Sequence, residues 1–233
     1  MKRLFAAALL VAPGVAGAQA YQCSAPARVE RPRPDGPTAD QPRRNLPIGG
    51  YTLALTWSPE FCRDNRRRAS AGFQCGSGNR FGFTLHGLWP DGTGRTWPQY
   101  CRPAALLPQR VITANLCATP SVQLLQHEWA KHGTCMSGYT PQRYFAQATG
   151  LYERLRYPDM DALSRRRLTA GALARELARV NPGLPIEAVR VTTDRQGWLD
   201  ELWLCLDTRF RYAGCGARGG GVGAPVRIWR GRR

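Results

Sequence analysis

The three histidines of this 233-residue chain all fall in two short stretches, Phe83-Thr84-Leu85-His86-Gly87-Leu88-Trp89-Pro90 and His127-Glu128-Trp129-Ala130-Lys131-His132-Gly133-Thr134-Cys135. Histidine titrates near neutrality, so imidazoles grouped with a carboxylate and an ammonium have the makings of proton-transfer chemistry. On a helical wheel with His127 at the origin, Lys131 falls near about 40°, Glu128 near about 100° and His132 near about 140°. An apolar stripe of Val122, Leu125 and Trp129 adjoins that arc, and packing it would hold the polar groups along the edge of a cleft. Three readings compete. A solvated charged face accounts poorly for every histidine of the chain being gathered in two places. A zincin-like metal helix needs histidines four apart, whereas His127 and His132 are five apart and Lys131 would set a positive charge beside any bound cation. Metal-free phosphoryl chemistry needs a base, an acid and cations for the charge on a pentacoordinate phosphorus. His86, His132, Lys131 and His127 are the right types for those tasks. Where the nucleophile is an internal 2′-hydroxyl, the substrate is RNA.

The two segments resemble the paired active-site motifs of the ribonuclease T2 family, secreted endoribonucleases that require no metal. The likeness holds in order and spacing over residues 51 to 135, weakens to general character after residue 140, and does not extend to the lead before residue 48. It implies that His86 is the general acid that protonates the 5′-oxygen and His132 the base that activates the 2′-hydroxyl. Glu128 and Lys131 would stabilise the transition state, and His127 would bind phosphate. The implied product is a 2′,3′-cyclic phosphate that is then hydrolysed to a 3′-phosphate, with no metal or other cofactor. Trp89 resembles a position that stacks on a nucleobase, and Asp91 one that bonds a purine in some members. Trp97 and Tyr100 are further candidate substrate contacts, although Trp89 and Trp97 also read as ordinary core aromatics. Stacking accepts any base, so low base specificity is expected. A neutral base working with a protonated acid predicts a bell-shaped dependence of rate on pH. The helix C-terminus near His132 favours imidazolium, Lys131 opposes it, and the sequence does not rank the two.

The elements that must position these groups are legible in outline. Tyr51 to Trp57 alternates as a strand that stops at Ser58-Pro59, and a polar, basic loop with Cys62 and Cys75 is expected to follow. Phe81 to His86 reads as a second strand, with Phe81, Phe83 and Leu85 on one face and Thr84 and His86 on the other. Ser121 is a candidate N-cap for the histidine helix, which Gly133 closes. Thr140-Pro141 opens a second helix, with Tyr144, Phe145, Ala148, Leu151, Tyr152 and Leu155 as its apolar stripe. A third runs from about Thr169 to Val180. Strands near Ile186 to Thr193 and Trp198 to Leu206, and a weaker one around Val226 to Trp229, complete an α+β domain with a mainly antiparallel sheet, ribonuclease T2-like by the resemblance.

Residues 1–20 read as an export signal, with Lys2 and Arg3 ahead of an apolar run and Ala18-Gln19-Ala20 as the cleavage site. Residues 21–48 form an extended Pro/Arg-rich lead, and residues 49–233 the catalytic domain. Export to the periplasm or the extracellular space suits the eight cysteines, an even number after the signal and without a CxxC pair. The family implies the pairs Cys101–Cys135, Cys205–Cys215 and Cys62–Cys75, which leaves the partnership of Cys23 and Cys117 open. The formal charge of +17 comes almost entirely from arginine and favours a polyanionic partner. Runs such as Arg66-Arg67-Arg68 and Arg165-Arg166-Arg167 read equally as solvated surface. A secreted polyanion-binding protein on an inactive nuclease scaffold is the competing class, but its expected mark, loss of a catalytic histidine, is missing. The expected partner is RNA, with no membrane association once the signal is removed, and the expected state is a monomer.

Overall fold

The computed structural model describes residues 20–76, 78–216 and 221–231, so the expected export signal lies outside it except for Ala20. In chain order the strands are β1 (Ala20–Gln22), β2 (Ile48–Trp57), β3 (Arg80–Phe81), β4 (Phe83–Gly92), β5 (Leu168–Thr169), β6 (Val189–Thr193), β7 (Leu199–Leu206) and β8 (Pro225–Val226). The helices are α1 (Ser58–Asn65), α2 (Gly72–Cys75), α3 (Gln109–Asn115), α4 (Val122–Lys131), α5 (Pro141–Glu153), α6 (Met160–Leu163) and α7 (Ala170–Val180). A four-stranded sheet of order β4-β2-β7-β6, antiparallel throughout, forms the centre of this α+β fold.

Period-two alternation gives the sheet two unlike faces. Leu53, Leu55 and Trp57 of β2, Phe83 and Leu85 of β4, and Leu202, Leu204 and Leu206 of β7 are buried in one core. Leu125 and Trp129 of α4 join that core, as do Tyr144 and Leu151 of α5 and Leu173 and Leu177 of α7. The other face carries Thr52, Ala54 and Thr56, which pair across the ladder with Cys205, Trp203 and Glu201. Polar side chains therefore collect where the sheet is not covered by the main core.

The strand that carries His86 is an edge strand, and its outward backbone groups are all the more in need of partners. Tyr144 and Tyr152 of α5 donate their hydroxyls to the carbonyls of Leu88 and Phe83 at 3.0 and 2.8 Å. The Thr119 hydroxyl donates to Leu85 O at 2.8 Å, and Leu85 N donates to Ala118 O at 2.9 Å. Within β4 the register slips: Ala54 faces Gly87 while Leu55 faces Leu85, which leaves His86 as the extra residue of a bulge. A bulge re-aims the side chain it carries, and here that side chain is the one expected to do chemistry. Pro90 also lies in β4, where an edge strand tolerates a residue without an N–H.

Two local readings differ from the sequence expectation. The expected loop after β2 begins with helix α1, because Ser58-Pro59-Glu60 is a helix start with proline in the first turn and an acidic residue beside the positive end of the dipole. Phe81 belongs to β3, separate from the strand of Phe83, and β4 runs on to Gly92. Helices α4, α5 and α7 begin as expected, with the Ser121, Thr140 and Thr169 side chains accepting from Leu124 N, Arg143 N and Ala172 N. The disulfides Cys62–Cys75, Cys101–Cys135 and Cys205–Cys215 form as the family implies, and Cys23 pairs with Cys117. Among the described residues no helix is long and apolar enough to cross a membrane.

Because α4 carries four of the groups of interest, its cap is a test of how local order feeds the site. Ser121→Ala is expected to lower unfolding free energy in urea by about 1 kcal/mol, the usual cost of losing a side-chain N-cap. An unchanged denaturation midpoint would remove the cap from the account.

Candidate active site

His86 enters the site from the β4 bulge and lies between two carboxylates. Its Nδ1–H donates to Glu201 Oε1 at 2.5 Å, and its Nε2 lies 3.6 Å from Glu128 Oε1. Glu201 comes from β7 and also accepts from Trp203 Nε1 at 2.7 Å and Thr56 Oγ1 at 2.9 Å. Burial alone would raise its pKa, but these donors outweigh burial and hold Glu201 below the usual carboxylate range. Burial would likewise strip His86 of its proton, yet the bond to Glu201 and the charges of Glu128 and Glu201 reverse the sign and raise its pKa.

Glu128 is buried at the edge of the core with 1 % of its surface exposed. Its Oε2 accepts from Trp89 Nε1 at 2.9 Å. Burial pushes its pKa up to about 7, against the opposing pull of His86, Trp89 and Lys131. This carboxyl fits only because residue 87 is glycine: a Cβ there would overlap the Glu128 carboxylate and come within 2.8 Å of Trp89 Nε1. Trp89 meets His86 edge-on with ring centres 5.0 Å apart, stacks on His132 at 5.6 Å and meets Trp203 edge-on at 5.3 Å.

His132 caps the C-terminus of α4, its N–H bonded to Glu128 O at 3.0 Å. It is buried, and its Nδ1 has no hydrogen-bond partner. Burial, then the positive charges of Lys131, His127 and His86, hold its pKa well below the ordinary histidine range. The contest between the helix end and Lys131 is thus decided by desolvation. Lys131 is half-buried, and burial lowers its pKa against the pull of Glu128 and Asp35. It is one of only two lysines in a chain that otherwise uses arginine, the other being Lys2.

The structure brings together His86, Glu128, Lys131, His132, His127 and Trp89. Asp91 lies further along β4 and accepts from Thr52 Oγ1 at 2.8 Å. Trp97 is 45 % exposed, with the Arg44 guanidinium 5.0 Å from its ring centre. Tyr100 is only 4 % exposed, and its ring lies edge-on to His127 at 6.3 Å. Two acidic groups were missed by sequence reasoning. Glu201 sits in an apparently ordinary strand 115 residues from His86 in sequence, marked only by a carboxylate in a half-apolar run. Asp35 lies in the lead, 92 residues from His127, and its Oδ2 accepts from His127 Nδ1–H at 3.1 Å. A separate concavity of about 1020 Å³ is lined by Arg63, Arg66, Arg67 and Arg80 near Trp57 and Trp229, and includes none of the histidines.

With this geometry in hand, the comparison with known proteins is specific. The model of the ribonuclease T2 family matches residues 48–215, and the chain belongs to that family. It is 31 % identical over 182 residues to a probable ribonuclease of Haemophilus influenzae, covering 72 % of this chain and 61 % of that protein. It is 38 % identical over 109 residues to a ribonuclease of Aeromonas hydrophila, covering 46 % of each. The chain thus spans 61 % and 46 % of the lengths of these relatives, under two thirds of each. In fold it is similar to trichomaglin, described as a novel S-like ribonuclease, with a TM-score of 0.64, 19 % identity, and coverage of 78 % of this chain and 97 % of that one. It is also similar to RNase NT in complex with 5′-AMP, with a TM-score of 0.61, 23 % identity, and coverage of 78 % and 98 %.

Gly87→Ala is expected to displace the Glu128 carboxylate and break its bond to Trp89 while the disulfide-linked fold persists. Turnover of RNA should fall on the order of 100-fold, the usual scale for ångström-level misplacement of a reacting group. Near-native activity with an unchanged fold would show that the tight approach of residue 87 to Glu128 does not matter.

Proposed function

We propose that the protein is an exported, metal-independent endoribonuclease that cleaves single-stranded RNA by transesterification. The observation that carries the reading is the pair of histidines packed against Trp89, one bonded to a carboxylate that raises its pKa and the other buried, which lowers its own. Such a split of proton affinities between neighbouring groups is what assigns acid and base roles. His132 takes the proton of the 2′-hydroxyl, O2′ forms a bond to the adjacent phosphorus, and the bond from phosphorus to O5′ breaks as His86 delivers its proton to the leaving oxygen. The products are a 2′,3′-cyclic phosphate and a free 5′-hydroxyl. In the second step water attacks the cyclic phosphate with the roles of the two imidazoles exchanged, and a 3′-phosphate results.

Lys131 offers an ammonium to the developing charge on the phosphorane oxygens. Glu128, pushed up to about 7 by burial, carries a proton over the lower part of the working range and can donate it to one of those oxygens, which an ionised carboxylate would repel. His127 holds phosphate. Trp89 and Asp91 form the base site, with Trp97 as an outlying contact, and stacking without a full set of base-edge bonds supports low base specificity. Among the described residues no three His, Cys, Asp or Glu side chains converge as a group that could hold a metal ion. Four disulfides fit an oxidising compartment, the periplasm or the medium, reached through a signal at residues 1–20. A monomer made of the lead over 21–48 and the catalytic domain over 49–233 is the form proposed to act.

The defining experiment is cleavage of a defined oligoribonucleotide in the presence of EDTA, alongside the same oligomer with one 2′-deoxynucleotide at the scissile position. Cleavage should persist with EDTA and stop at the deoxy site; equal cutting of both substrates would end the proposal. Replacing His86 or His132 by Ala should lower kcat by at least about 100-fold, the usual contribution of a proton-transfer group. The pH dependence has a definite sign. Rate should fall toward acid as His132 gains a proton, and toward alkali as His86 and Glu128 lose theirs, leaving a plateau between. In Glu201→Gln the support for the His86 proton is removed, so the alkaline limb should move to lower pH while the acid limb stays in place.

A further inference from the structure

Residues 23 to 47 precede the family match but do not stand apart from the site. The Cys23–Cys117 disulfide anchors one end of this strap. Arg33 N donates to Gln123 Oε1 at 2.9 Å, and Gln123 Nε2 donates back to Arg33 O at 3.3 Å, which lays the strap on α4 one turn before His127. Beyond the site, Arg44 and Gln99 exchange backbone bonds at 2.9 and 3.0 Å, and Arg43 Nε donates to Tyr100 O at 3.1 Å. Prolines 32, 34 and 37 bracket the crossing and Pro32 is buried. Each fixes its own φ, so less chain entropy is lost when the strap is ordered. Asp35 sits in the middle of this fastened stretch. Its Oδ2 accepts from His127 Nδ1–H at 3.1 Å, and its Oδ1 is buried without a hydrogen-bond partner. Tyr100 is itself held at a positive φ of 50°, its N–H bonded to Lys131 O at 2.8 Å.

We propose that Asp35 is a positioning residue of the phosphate subsite, brought in by the strap to fix the His127 imidazole through Nδ1 and leave Nε2 to a phosphate oxygen. This rests on the reading of His127 as a phosphate-binding group. The groups facing His127 are Asp35 from the strap, Lys131 and His132 from α4 and its end, His86 from β4 and Tyr100 from the loop after β4. Burial, then Lys131 and His86, lower the His127 pKa on balance, and Asp35 is the one anionic group in direct contact that offsets them. A neutral imidazole can share one hydrogen bond with a phosphate, but an imidazolium backed by a carboxylate donates a charge-assisted one. The strap therefore supplies the carboxylate that holds the His127 ring through Nδ1 and offsets part of the opposition to its charged form.

The test uses the full chain with its four disulfides, and Asp35→Asn, which keeps the shape of the side chain and removes its charge. With only three histidines, each imidazole can be followed by NMR through a pH titration, with inorganic phosphate as the ligand. In Asp35→Asn the His127 midpoint should move to lower pH, the His86 and His132 curves should stay, and phosphate should bind on the order of tenfold more weakly, the scale of one charge-assisted hydrogen bond. KM for RNA should rise more than kcat falls, and Asp35→Glu should restore part of both. An unmoved His127 midpoint with unchanged phosphate affinity would reduce Asp35 to a structural contact. Tighter phosphate binding in Asp35→Asn would make it a competitor for the site, and either result overturns the proposal. If the parent protein binds phosphate at His127 through Asp35 yet leaves RNA intact, the functional reading fails while the subsite stands.

Discussion

A carboxyl group with almost no access to water, Glu128, is the constraint around which the rest of the site is arranged. An unpaired buried carboxylate is costly, so the surroundings must either neutralise it or compensate it. Both happen here: burial favours the protonated form, while the Trp89 indole and the nearby His86 and Lys131 limit the shift. The approach of Glu128 to β4 requires a residue without a side chain at 87. It also requires α4 to hold a fixed height over the strand. The Cys101–Cys135 disulfide, the Tyr144 and Tyr152 bonds to β4 and the shared core of Leu125 and Trp129 together set that height. A change in any of these moves the carboxyl before it moves the histidines.

The same packing explains why the strand is bulged. A regular β4 would alternate His86 strictly with its neighbours, and the core face of Phe83 and Leu85 would determine its direction alone. The slip opposite Ala54 and Leu55 frees one residue from the ladder, and the edge position means that α5 and the 118–119 turn, rather than another strand, must satisfy the displaced backbone. His86 can then reach Glu201 on β7 across the intervening strand β2 and still face Glu128. The bulge links sheet geometry to proton affinity, because only a histidine aimed between two carboxylates keeps its proton at this depth.

What the sequence disclosed followed the range of the interactions concerned. His127, Glu128, Lys131 and His132 are within one and a half turns of each other, so helical periodicity alone groups them, and Ser121, Thr140 and Thr169 announce their helices through bonds three residues long. His86 joined them as the one histidine outside the helix, and the resemblance supplied its role. Glu201 and Asp35 were out of reach because each meets its histidine only through tertiary pairing across roughly half the chain, and neither carries a local signature. Helix α1 was missed for a different reason: Ser-Pro after a strand is both a stop signal and a helix start, and the acidic Glu60 that favours the second meaning is a weak cue.

The two histidines at the centre also show how identical side chains acquire opposite tasks. His86 and His132 lie against the same indole, but the His86 side chain is 30 % exposed whereas His132 is buried. Burial opposes a proton on each. The company of charge then separates them further: His86 has Glu201 and Glu128 beside it, whereas His132 faces Lys131, His127 and His86. In the proposed reaction the base must begin empty and the acid loaded, and uneven burial and an uneven distribution of carboxylates both act in that direction. His127 is the intermediate case, with a single carboxylate set against burial and two cations. Because that carboxylate arrives on a strap outside the matched family region, the surroundings of His127 depend on a segment that the paired histidine motifs do not contain.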